Sequence, residues 1–234
     1  YTGGDRLTYC LSDGLQQSAP IVMELDVVAP EDADVLLGWS WMDSLSEPAS
    51  TFNDSRIGPS SLVLGPGLKI KTTSHAFGLS GAQSSGLDLN DYVSWSLQPE
   101  AGSALSVERV TFFLYSSGAA ITDPYPAINA ELRMSVDGFD SYTTLPLDQG
   151  SLIEAFHQST NGGVVCSADT SEFSALQNMT APVEFRIYIW NTSSSAICGI
   201  GKSGDNSAQR ACDLTVFGQI APVIPVADAG EDLR

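Results

Sequence analysis

The chain has 234 residues, of which 43% are hydrophobic and only 16% charged, and it carries a formal net charge of −18 from 28 acidic and 10 basic residues. A field of that sign repels polyanions, so nucleic acid is excluded as a partner. The short apolar runs, such as Val35-Leu36-Leu37 and Phe112-Phe113-Leu114, fall far below the ~20 residues of a membrane-spanning helix, so membrane insertion is excluded as well.

Short runs with period-2 alternation follow one another, and no helix-period segment exceeds about two turns. Strands are expected over residues 21–28, 35–42, 68–73, 92–98, 107–116, 130–137, 183–191 and 211–217. Turns are expected at Gly65-Pro66-Gly67, Asp123-Pro124-Tyr125-Pro126 and Asn161-Gly162-Gly163, where Gly, Pro and Asn supply the backbone geometry of a reversal. Residues 171–177 read as one short helix capped by Ser171. Strands without alternating helices predict an all-β fold, a two-sheet antiparallel β-sandwich of jelly-roll type over 1–221. Residues 222–234 hold two of the prolines and a polar end, the composition of a linker.

The cysteines are Cys10, Cys166, Cys198 and Cys212, none in a CxxC pair. Thiolate zinc sites need closely spaced Cys and His ligands. An even count in an acidic, Ser/Thr-rich chain points instead to two disulfides and an extracellular compartment. Cys198 and Cys212 flank a Gly/Ser/Asn-rich stretch and pair most simply across it, leaving Cys10 for Cys166. Sequence leaves the connectivity open, with four buried free thiols as the alternative.

Alternation divides each strand into two faces. Val183, Phe185, Ile187 and Ile189 form a core face, which turns Glu184, Arg186, Tyr188 and Trp190 outward. In the same way Leu132, Met134 and Val136 leave Glu131 and Arg133 outside. Val110, Phe112 and Leu114 leave Phe113 and Tyr115 outside, and Tyr92 opposes Val93. Were these strands neighbours, Tyr115, Glu131, Arg133, Glu184, Arg186, Tyr188 and Trp190 would share one surface. Such a surface suits a polysaccharide, because a pyranose ring stacks on an aromatic face while its hydroxyls meet charged groups. The expected roles are oxygen binding for Arg133 and Arg186, stacking for Tyr188 and Trp190, and a rim from Tyr115. Glu131 and Glu184 would orient the arginines or accept hydroxyls. If the site is open, the aromatic-plus-arginine groove is exposed; if the domain is a spacer or adhesion module, Tyr188 and Trp190 are covered.

Several strings recur in order: Tyr92-Val-Ser-Trp-Ser-Leu-Gln-Pro, Leu105-Ser-Val-Glu-Arg-Val-Thr-Phe, Leu132-Arg-Met-Ser-Val-Asp-Gly-Phe, Glu184-Phe-Arg-Ile-Tyr-Ile-Trp and Cys212-Asp-Leu-Thr-Val-Phe-Gly. Over residues 75–218 this order resembles the jelly-roll domains of secreted modular bacterial proteins, several of them carbohydrate-binding modules. The resemblance implies a monomeric, non-catalytic domain that binds polysaccharide beside other domains of its chain. It also implies a structural Ca²⁺, with Asp213 at the position of a ligand. The string Pro225-Val-Ala-Asp-Ala-Gly-Glu-Asp resembles the first strand of a PKD-type immunoglobulin-like repeat.

A polysaccharide lyase or hydrolase on the same fold is the enzymatic alternative. It would need paired carboxylates or His and Tyr around one bond. His75 and His157 sit in no catalytic string, no GxSxG or HExxH occurs, and Arg133 and Arg186 would keep Glu131 and Glu184 ionised. A module without catalytic residues is the reading these positions favour.

Overall fold

The computed structural model describes residues 3–9, 21–27, 35–40, 42, 47–71, 76–117, 128–150, 152–153, 164–190, 197–201 and 213–223. For 3–9, 21–27, 116–117, 152–153 and 197 it describes the backbone alone. The chain divides into two units, Tyr1–Asp34 and Val35–Arg234. The first holds an antiparallel pair, β1 (Gly3–Tyr9) and β2 (Ile21–Val27), registered from Gly3↔Val27 to Tyr9↔Ile21.

The second unit is built from strands in two antiparallel sheets. In chain order they are β3 (Val35–Trp39), β4 (Phe52–Asn53), β5 (Val63–Leu64), β6 (Lys69–Ile70), β7 (Phe77–Ser80), β8 (Tyr92–Leu97), β9 (Ser103–Ser117), β10 (Ile128–Ser135), β11 (Thr143–Leu145), β12 (Leu152–Ile153), β13 (Val164–Asp169), β14 (Val183–Trp190), β15 (Ile197–Ile200) and β16 (Leu214–Pro222). One sheet has eight strands, ordered β4-β3-β16-β9-β15-β7-β6 with β13 also paired to β9. The other has six, ordered β11-β10-β14-β8-β5 with β12 also paired to β10. Within them, β3-β16-β9-β13 and β8-β14-β10-β11 trace a jelly roll, in which the first strand of the roll pairs with the last and the chain passes from sheet to sheet except at β10–β11, which pair with each other. The expected fold class, an all-β two-sheet antiparallel sandwich, is the observed one, and it lies in the second unit.

The layers meet through the inward residues that alternation selects. Val93, Trp95 and Leu97 of β8, Leu132 and Met134 of β10, and Phe185 and Ile187 of β14 pack with Trp39, Val110, Phe112, Leu114 and Val216 of the other sheet. At the centre, Trp95 stacks on Phe185 at 5.2 Å with 11° between planes and meets Trp39 edge-on at 6.3 Å. Trp39 donates its indole N–H to the Pro48 carbonyl at 2.9 Å, which satisfies a polar group that burial would otherwise penalise.

Four expectations about elements and cysteines change. The segment 171–177 forms only a 3₁₀ turn, Ser174–Leu176, entered from Phe173 without a side-chain cap. Ser171 is engaged elsewhere: its N–H and hydroxyl donate to Asp169 Oδ1 at 3.0 and 2.7 Å. Among the described residues of the stretch 68–73, 68–71, only the two of β6 are strand. β16 continues to Pro222, opposite Ser103, one residue into the stretch read as a linker.

The fourth change concerns the disulfides. Cys166 and Cys198 are buried free thiols, so neither is joined as expected, and Cys10 and Cys212 lie outside the described residues. Each faces the core from the middle of a paired strand, and burial pushes both thiols up to about 12. At that value they are protonated and behave as small apolar side chains.

Candidate functional site

The register of the six-stranded sheet decides which outward side chains meet. Across β10, β14 and β8 the rows are Glu131–Tyr188–Tyr92, then Arg133–Arg186–Ser94, then Ser135–Glu184–Ser96. Trp190 lies opposite Asn129 at the end of the same face. Glu131, Arg133, Glu184, Arg186, Tyr188 and Trp190 therefore share one surface, as alternation predicted.

Tyr115 does not join them. It sits on β9, in the eight-stranded sheet, opposite Gly199 of β15. It is 1% exposed, and a Cβ at position 199 would stand 2.5 Å from its ring, so a glycine there is what lets the ring lie over the β15 backbone. Alternation assigns a residue to a face of its own sheet and does not say which sheet that is.

The two arginines lie against aromatic rings, Arg133 buried and Arg186 half-buried. The Arg133 guanidinium lies between Tyr142, at 4.1 Å from the ring centroid, and Tyr188, at 4.7 Å. Arg186 lies between Tyr92, at 4.3 Å, and Phe139, at 3.7 Å. Tyr92 and Tyr188 meet at 5.5 Å with their planes tilted by 55°, which links the two arginine clusters. Each arginine also binds the acid two residues before it on its own strand: Arg133 Nε donates to Glu131 Oε1, and Arg186 Nε to Glu184 Oε1 at 2.8 Å. Burial pushes the Arg186 guanidinium down, but hydrogen bonds to Tyr188 and Glu184 outweigh it and hold the group above its ordinary value. Arg133 is 5% exposed and Tyr188 2%, so both are beneath the surface.

The covering rings come from the turn between β10 and β11, which the strand pattern did not mark. Asp137 builds that turn. Its carboxylate accepts from Ser141 N–H and hydroxyl and from the Ser135 hydroxyl, and those bonds hold it at about 2. Ser135 Oγ in turn accepts from Phe139 N–H at 2.9 Å. Phe139 adopts φ +70°, a left-handed conformation uncommon for a residue with a bulky side chain. The turn thus brings Phe139 back over Arg186 and Tyr142 over Arg133. Tyr142 is 54% exposed, with one ring face held by guanidinium and the other turned to solvent. The Asp137-Gly138 pair is the signal that marks this turn in the sequence.

Glu131 and Glu184 are not placed as a glycosidase pair. Glu131 and Glu184 lie on adjacent strands four residues apart in register, roughly 13 Å along the strand at ~3.3 Å per residue. The arginine row stands between them, whereas paired glycosidase carboxylates are about 5–9.5 Å apart.

Asp213 is 3% exposed, its N–H bonded to the Trp39 carbonyl and its own carbonyl accepting from Phe113 N–H. Ca²⁺ needs about six to eight oxygens, and among the described residues no group of three or more Asp, Glu, His or Cys side chains gathers. Among the described residues, too, no helix is long and apolar enough to cross a membrane.

No protein-family model matches the chain, and no curated protein matches it. Among solved structures it is similar to a carbohydrate-binding module specific for non-crystalline cellulose, CBM28, with a TM-score of 0.37 and 12% identity over 71% of this chain and 86% of that one. It is also similar to a structure from work on promiscuous specificity in carbohydrate-binding modules of the β-sandwich superfamily, with a TM-score of 0.35 and 8% identity over 87% of this chain and 74% of that one. At these scores the chemistry of the site is read from its own side chains.

Proposed function

We propose that this chain is a non-catalytic module that binds a neutral polysaccharide through the outer face of its six-stranded sheet, on behalf of a larger secreted or surface protein. The observation that carries this reading is Tyr142, a ring 54% exposed and backed by the buried Arg133 guanidinium. With Phe139 and the half-buried Trp190 it gives aromatic faces on which pyranose C–H faces stack. Glu131 and Glu184, partly exposed beside those rings, accept sugar hydroxyls. Arg133 and Arg186 act as positioning residues: they hold the rings and the carboxylates and do not reach the ligand. Because each arginine is matched by a carboxylate and the chain carries −18, acidic glycans are disfavoured.

The test is affinity electrophoresis against neutral, carboxylated and sulfated polysaccharides. A neutral glycan should retard the protein, and Tyr142→Ala and Trp190→Ala should each weaken that binding by about two- to ten-fold, the range of a single aromatic contact worth ~0.5–1.5 kcal/mol. Retardation by sulfated glycans alone would overturn the neutral-ligand reading.

A second reading rests on a separate observation. A spacer or a module for a protein partner predicts that Tyr188 and Trp190 are covered; Tyr188 is, at 2% exposed, while Trp190 is half-buried. No retardation by any glycan would select it.

A further inference from the structure

One carboxylate of the sandwich is buried without a partner. Asp91 immediately precedes β8, and alternation turns it the way of Val93 and Trp95, toward the opposite sheet. Its charge is felt there by the Cys198 thiol on β15. Asp91 is 4% exposed. Its backbone is tied on both sides: its N–H donates to the Asp88 carbonyl at 3.2 Å, and its own carbonyl accepts from Ile189 N–H at 3.0 Å. Its carboxylate has no hydrogen bond or ion pair to any described residue. A buried ion in that state costs several kcal/mol unless an opposite charge reaches it.

The turn Gly65-Pro66-Gly67 closes over this acid. Gly67 N–H donates to Asn90 O at 3.0 Å, and Gly65 N–H to Tyr92 O at 2.8 Å. A Cβ on residue 67 would collide with Asp91 Oδ1, and one on residue 65 would stand 2.7 Å from the Tyr92 ring. Two glycines therefore let the backbone approach both the carboxylate and the ring beside it. A second acid, the half-exposed Asp88, stands at the same corner. Its Oδ1 accepts from Asn90 N–H and Nδ2 at 2.9 and 3.0 Å, which leaves Oδ2 with no described partner. Burial, and then the charge of Asp88, raise the Asp91 carboxyl above its ordinary value.

We propose that Asp91 and Asp88 hold a Ca²⁺ ion, with its remaining oxygens supplied by backbone carbonyls and water. A hard divalent ion matches two carboxylates in charge and takes carboxylate, carbonyl and water oxygens in flexible geometry. Mg²⁺ fits less well, because it demands a near-ideal octahedron and dehydrates reluctantly. The position is separate from Asp213, the ligand that the family resemblance implies. The ion binds whether or not a glycan does, so the site stands apart from the polysaccharide reading.

The experiment uses the full chain, stripped with EGTA and followed by thermal denaturation at constant ionic strength as Ca²⁺ is added. Ca²⁺ should raise Tm saturably, by roughly 3–6 °C at a ten-fold excess over Kd, with Kd on the order of 10⁻⁴–10⁻³ M. Mg²⁺ should raise it less. Asp91→Asn keeps the side-chain shape and should weaken Ca²⁺ at least about ten-fold, the loss that follows removal of even an outer-shell partner. Without the ion this variant should be no less stable than the unaltered chain; with Ca²⁺ the unaltered chain should be the more stable. Tb³⁺ gives a second readout that does not depend on stability. Its luminescence, excited through the adjacent Tyr92, should appear with the unaltered chain, yield to Ca²⁺ and be lost in Asp91→Asn. Both signals persisting in Asp91→Asn would place the ion elsewhere and overturn the proposal. An unaltered chain that responds to neither ion would overturn it too, leaving the carboxylate to water alone. Should Asp91→Asn fail to fold, Asp88→Asn decides by the same two readouts, and unchanged affinities sink the site.

Discussion

Both sheets place arginine against aromatic rings on an outer surface, and they do it to different ends. In the eight-stranded sheet, Arg109 lies over Phe217, its neighbour across the β9–β16 pair, at 4.3 Å, and both side chains stay half-exposed. In the six-stranded sheet, Arg133 and Arg186 each have a ring on both sides. One of those rings comes from the sheet itself. The other is delivered by the turn that Asp137 organises. A cation–π contact at the surface contributes ~0.5–1 kcal/mol, and a desolvated one about 2 or more. The returning turn is therefore what converts a pair of surface contacts into a buried layer with aromatic rings on its outside.

The largest effect should come from the core that joins the two sheets. Trp95→Ala removes a ring that touches Phe185 in one layer and Trp39 in the other, and should cost about 3–5 kcal/mol in chemical denaturation. Next, Arg133→Ala should cost about 2–3 kcal/mol, since it empties a space between two rings and leaves Glu131 without its cation. Arg109→Ala, the matched change in the other sheet, should cost under ~1 kcal/mol. Equal costs would dissolve the contrast between the surfaces.

Asp137→Ala should leave global stability little changed but speed amide exchange at Phe139 and Ser141, whose N–H groups it organises. Acid should do the same to the unaltered chain. The folded carboxyl, at about 2, lies below its ordinary 3.8, so its contribution is complete above 3.8 and is lost as pH falls toward 2. The smallest effect, of opposite sign, is expected at Asp91. Burial, together with the charge of Asp88, raises its carboxyl above the ordinary value. The folded state then binds more protons than the unfolded one, and stability falls as pH rises from 3.8 through the raised value. Asp91→Asn should therefore be slightly more stable than the unaltered chain at neutral pH, the difference vanishing in acid.

Sequence made the long strands legible because their burial is one-sided. β8, β10 and β14 begin and end within two residues of where alternation places them, and six of the seven expected site residues share a face for the same reason. It did not reveal β13, β7 or β15, short segments whose interior residues include Cys166, Gly78 and Gly199 and carry little periodic signal. It misplaced Tyr115 because sheet membership is set by pairing over long distances. It overlooked Phe139 and Tyr142 because their position depends on a turn held by side-chain hydrogen bonds, which hydrophobic periodicity does not encode.

The pairing of β3 with β16 has a mechanical consequence. Val35, where the chain enters the sandwich, lies across from Phe217, five residues before the strand ends at Pro222. Entry and exit are on neighbouring strands, so such a module can be inserted between two others without holding them far apart. Tension applied at those two points would load the β3–β16 ladder rung by rung, and this pair would part before the arginine-backed surface felt the pull.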